Sequence, residues 1–217
     1  MLLVYVPKIT PRNRYVFKTV FKNYLGVEYS LTADIEKFTE HSAAKFSYSA
    51  KPFGEELHFT ADGLLEESGI SEKVLSTKVI QDTPTIFPVR SEILEFDVFA
   101  ATFYMLSRYE EYLPHMRDQY DRFMAKDSLA AKEGFLHLAV VDRWVLLLKS
   151  VLQEKFPELT FQERGFTYLS TIDIDNAYAY KHKGLLRSIG SIGKSLVKLD
   201  FSRFITQMQV IFGKKND

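Results

Sequence analysis

Hydrophobic and polar positions alternate and cycle along this chain in a way that predicts a layered α/β domain. Leu2 to Val6 is a short apolar run stopped by Pro7 and reads as a buried strand. Thr10-Pro11 is an N-cap and first-turn pair. Phe17, Val20, Phe21 and Tyr24 then recur at i, i+3, i+4 and i+7, and Gly26 stands at the C-cap position. Val27 to Leu31 reads as a second strand. Strand, helix and strand with short links predict a parallel pair with a right-handed crossover. A short helix is expected over 34–41. Lys45 to Ser49 and Leu57 to Phe59 are expected to be further strands of the same sheet, with breaks at Lys51–Gly54 and Asp82–Thr85.

The middle of the chain is helical by its periodicity. Phe96, Phe99, Ala100, Phe103 and Leu106 form one apolar stripe ending before Pro114. Leu136 to Phe156 is a second helix, apolar around most of its circumference and stopped by Pro157. Between them, Arg108, Glu110, Glu111 and Arg117 mix with tyrosines. Such a cluster can bind a sugar or phosphate through guanidinium forks and aromatic faces, or can be an ion-pair lattice holding a long loop to a helix. Near the C-terminus, Leu185, Ile189, Ile192, Leu196 and Leu199 line one helix face, and Phe204, Ile205, Met208, Ile211 and Phe212 line another. These amphipathic helices offer a surface for self-association.

Phe166 to Ile174 reads as a mostly buried strand, and it places Asp173 and Asp175, two apart, on the same face. Two carboxylates at a strand mouth repel unless a cation sits between them or one is protonated. The pattern therefore suits a divalent metal or a general base, and it equally suits two solvated acids in a strand-to-loop turn.

The run Ser170-Thr-Ile-Asp-Ile-Asp175 resembles the first motif of the polysaccharide deacetylase superfamily, the carbohydrate esterases with a NodB-type domain. The longer stretches Phe103 to Pro114 and Thr171 to Gly184 resemble deacetylase-like proteins of Bacteroidota-type bacteria, in which an α/β domain of unknown role precedes the deacetylase barrel. The resemblance implies an α/β domain with a partly parallel sheet over 1–163, and the opening elements of a distorted (β/α) barrel over 164–217. It also implies a metal-dependent carbohydrate N-deacetylase acting on an amide bond, with Asp173 as general base and Asp175 as a ligand of zinc, and a carbohydrate as substrate. The family's two metal histidines come from a His-x-x-x-His motif. No such pair occurs among the five histidines here, so this polypeptide is expected to be inactive alone. Two other readings stay open: a non-catalytic accessory or interaction domain, and a glycosyltransferase whose Asp-x-Asp holds a metal on a nucleotide-sugar.

Composition narrows the picture only a little. Hydrophobic content of 46% and charged content of 26% are ordinary for a globular protein. No cysteine is present, which excludes disulfides and thiolate chemistry. Net charge is zero, which gives no footprint for nucleic acid, although the segment from Ala177 onward carries eight Lys or Arg against two acids. The start lacks the pattern of a signal peptide and no run reaches membrane-spanning length, so a cytoplasmic location is expected.

Overall fold

A computed structural model describes residues 1–163, 165–173 and 201–214, with the side chain of Arg203 left aside. The chain divides into two compact units, residues 1–164 and 165–217.

The first unit is an α/β domain built on a four-stranded, all-parallel sheet in the order β2-β1-β3-β4. The strands are β1 (Leu2–Tyr5), β2 (Tyr29–Thr32), β3 (Lys45–Ser49) and β4 (Leu57–Thr60). Between β1 and β2 runs one continuous helix. It starts as α1 (Pro11–Phe17) and continues as a wider, π-wound segment over Lys18–Leu25. Thr10 caps it by accepting from the Asn13 N–H at 3.1 Å, and Gly26 ends it in the left-handed conformation at φ 63°. Helix α2 (Ile35–Glu40), capped by Asp34, joins β2 to β3. Helix α3 (Val98–Leu106) follows further on, capped by Asp97.

The core sits on one face of the sheet. Phe99 of α3 lies among Phe17, Phe21, Phe46, Tyr48 and Phe59, with ring centroids 4.7–6.1 Å away. These rings meet mostly in tilted or edge-on arrangements, which the aromatic quadrupole favours. On the opposite face Leu3 and Tyr5 pack against Phe38 of α2.

Four expectations need correction. The break expected over 82–85 is a strand. β5 (Lys78–Ile80) and β6 (Thr83–Thr85) form an antiparallel hairpin around Gln81 and Asp82, both at positive φ (47° and 57°). A two-residue turn of this kind favours Asn-Gly or Asp-Gly, so Gln-Asp gives no sequence signal. The apolar stripe of the central helix begins ahead of it, because Asp97 starts the helix only at Val98 and leaves Phe96 outside, whereas Leu106 ends it. The second long helix, α5 (Val140–Lys155), likewise starts later than expected, and it packs Trp144 against Phe96. Finally, the run expected as a buried strand forms none within 165–173: Phe166 is 96% and Ile172 80% exposed. Alternation selects strand geometry, but a strand forms only where a neighbour completes its hydrogen bonds, and among the described residues none pairs with it.

In the second unit, helix α6 (Phe201–Ile211) carries Ile205 and Ile211 of the expected stripe in exposed positions, with Phe212 exposed just beyond its end. The expected helix over 185–199 lies outside the described residues. Among the described residues no helix is long and apolar enough to cross a membrane.

Candidate functional site

In open parallel sheets, ligands commonly bind in the crevice at the carboxyl ends of the strands, where the winding reverses. Here that edge is covered by the chain itself. After β4, the Ala61 N–H donates to the Ser49 carbonyl and the Asp62 N–H to Asp97. The loop then delivers Leu64 and Leu65, both fully buried, to the start of α1. There the Leu65 carbonyl accepts from the Thr10 hydroxyl at 2.7 Å and the Leu64 carbonyl from the Arg12 guanidinium at 2.6 Å.

The open cleft lies further along the fold, where the chain leaves α3. Arg108 adopts the left-handed conformation (φ 54°) and turns the chain into a short 3-10 segment, Tyr109–Tyr112. The buried Tyr109 hydroxyl donates to the Ser71 carbonyl and accepts the Ser71 N–H, pinning the loop over 63–77 beside the segment. A tight turn at 117–123 follows, held by Asp118, whose Oδ1 accepts the N–H groups of Tyr120 and Arg122. Glu72, Lys73, Tyr104, Glu110, His115 and Phe123 line the resulting cleft of about 650 Å³, with Asp127 and Lys132 on its border. That volume is typical of a small-molecule site.

The four cluster residues singled out by sequence each take a partner within the domain. The Arg108 guanidinium donates to both oxygens of Glu111, at 2.6 and 2.5 Å. Arg117 pairs with Asp121 at 2.8 Å. Glu110 accepts the Leu129 N–H at 2.9 Å, at the start of the short helix α4 (Leu129–Lys132). All four border the cleft or its two smaller neighbours, but they do not converge on one point. Of these four only Glu110 lines the main cleft, and sequence reasoning missed His115 and Tyr104, which line it too. His115 donates its Nδ1–H to the Leu113 carbonyl at 2.7 Å, since a carbonyl can only accept, so in the neutral ring Nε2 carries the lone pair. The imidazole meets Phe123 edge-on at 5.0 Å. Burial, and then Glu110, push the Tyr104 hydroxyl up to about 12, so it stays a protonated donor at the cleft floor. Only the position of His115 beside the Arg/Glu/Tyr cluster hints at it in the sequence.

Two other constellations have the residue types of a site but, among the described residues, not its geometry. Ser47, Glu56 and His58 have the composition of a hydrolytic triad. However, the Ser47 hydroxyl donates to Glu56 at 2.7 Å and accepts from His58 Nδ1 at 2.8 Å, so the serine sits between acid and histidine. Ser47 is also fully buried, and a nucleophile needs the base beside it and a path to substrate. As for the carboxylate pair, Asp173 is exposed and Asp175 lies outside the described residues. Among the described residues no three His, Asp or Glu side chains come together to hold a metal, so they do not fit a zinc site by themselves.

The family model that matches residues 2–157 is that of a family of unknown function, DUF7033. The chain belongs to the DUF7033 family. No curated protein and no solved structure matches it. The DUF7033 match covers the sheet, its helices and the whole of the cleft, and it stops short of Asp173.

Proposed function

We propose that the chain is the N-terminal portion of a metal-dependent carbohydrate (polysaccharide) N-deacetylase, with the DUF7033 domain as its non-catalytic accessory part. The observation that carries this reading is the position of Thr171-Ile-Asp-Ile-Asp175, which follows directly on a unit with its own closed core. Asp173 is the general base in this reading and Asp175 the carboxylate ligand. The metal and its histidines belong to residues outside the described set, so turnover is assigned to the protein that carries them and not to residues 1–163. The glycosyltransferase reading is weaker. It calls for a nucleotide crevice at the strand ends, where Leu64 and Leu65 lie.

The test starts with the gene. Reading the frame beyond the Asp217 codon is expected to give a His-x-x-x-His segment. The encoded protein, loaded with zinc, is expected to release acetate from N-acetylglucosamine oligomers. Asp173→Asn should lower that rate by about 100-fold or more, the usual contribution of a general base. A frame without such a segment, or full activity in the Asp173→Asn protein, overturns the reading.

A further inference from the structure

We infer that the cleft of the DUF7033 domain binds a neutral oligosaccharide. The inference rests on the carbohydrate half of the function proposed above, but its evidence is the chemistry of the cleft itself. Glu72, Glu110 and Asp127 supply carboxylates, Lys132 supplies an ammonium group and Lys73 a second one that is paired with Glu67, and His115 supplies an imidazole whose tautomer is fixed by the Leu113 carbonyl. Sugar hydroxyls both donate and accept, and they need such a mixture. The faces of sugar rings carry C–H groups and need apolar surface, which the Phe123 ring provides, with the aliphatic side chains of Leu113 and Met116 beside it in the lining.

The same list argues against other ligand classes. Three carboxylates against two ammonium groups leave no excess positive charge for a phosphate or an acidic glycan. The charged border argues against a lipid or an apolar peptide, since either would strip water from carboxylates it cannot pair. The cleft is also built in advance of any ligand: Tyr109 pins one wall to Ser71, Glu110 holds Leu129, and Asp118 fixes the adjoining turn. A wall fixed in this way loses little entropy when a ligand arrives.

The test is calorimetric titration of the 217-residue chain with the N-acetylglucosamine tetramer, inorganic phosphate and an oligogalacturonate. The expected result is saturable binding of the tetramer below about 1 mM, and none of the two anions. Glu72→Gln and Lys132→Ala, both exposed and both lining the cleft, should each weaken it by about five- to tenfold, with unchanged melting temperature. No heat from the tetramer at 10 mM concentration, binding of an anion instead, or binding indifferent to both substitutions overturns the inference. The two readings fail separately. Tetramer binding by this chain alongside a longer protein that releases no acetate removes the deacetylase, and acetate release with a silent cleft removes the oligosaccharide site.

Discussion

Asp97 shows how one side chain can tie three elements together. Its Oδ1 accepts the N–H groups of Phe99 and Ala100 at the start of α3. Its Oδ2 accepts the Tyr48 hydroxyl from β3 at 2.8 Å and the Asp62 N–H from the loop after β4 at 2.7 Å. Burial raises this carboxyl to about 6, and the N–H donors and the tyrosine hydroxyl offset only part of that effect. A carboxyl whose folded pKa lies above its unfolded value of 3.8 holds a proton that the unfolded chain has already lost between those two values. Stability from this group is therefore greatest at low pH. It falls as pH rises through that window, then levels off above it. The difference in unfolding free energy between the natural protein and Asp97→Asn should accordingly shift by roughly 2–3 kcal/mol between pH 4 and pH 6.5, the size that a shift of about two pKa units implies. Urea denaturation of both proteins at the two pH values measures it. A constant difference would mean that the four donors hold the carboxylate ionised throughout. None of this was legible in the sequence, where Asp97 reads only as a polar residue inside an apolar stripe. Its partners at 48 and 62 are brought to it by the sheet.

Among the elements, the first helix with both its ends and the start of the second were legible because the signals are local. Thr10-Pro11, Asp34 and Gly26 stand where caps belong, and the apolar spacing needs no knowledge of the partner. The π winding over Lys18–Leu25 has no such signal. Gly26 separates two contributions that a sequence cannot. Gly26 and Gly134 both sit at positive φ, 63° and 74°, where an alanine is strained by about 1–2 kcal/mol. A methyl group on Gly26 would also collide with the Gln162 side chain, whose backbone N–H donates to the Leu25 carbonyl, whereas one on Gly134 meets nothing within 4 Å. Gly134→Ala should thus cost about 1 kcal/mol, and Gly26→Ala clearly more, as the segment at 162 must move. Equal losses in thermal melts would show that the Gln162 contact is soft. The candidate cleft was half legible for the same reason. Arg108, Glu110, Glu111 and Arg117 fall close together in sequence. Glu72, Tyr104 and Lys132 come from segments that only the fold assembles.

At the scale of the whole molecule, the question is what residues 1–164 need in order to fold. The buried cluster that holds the domain runs from Leu2 to Leu152, and Phe156, Leu159 and Phe161 pack onto it before the boundary between the two units. Every strand pair among the described residues lies before Thr85 or ends there. Trp144 of α5 closes the far side by donating its indole N–H to the Pro84 carbonyl at 2.8 Å. The apolar side chains at 166, 169 and 172 are largely exposed. Their strand-like alternation was legible, but whether a partner strand completes it is a property of the surrounding chain that periodicity does not encode. A fragment of residues 1–164 should therefore fold on its own and melt cooperatively, within a few degrees of the matching transition in the 217-residue chain, a gap of less than about 1 kcal/mol for a domain of this size. Calorimetric scans of both proteins compare the transitions directly. A fragment that stays unfolded, or melts far lower, would place part of its stability in residues 165–217.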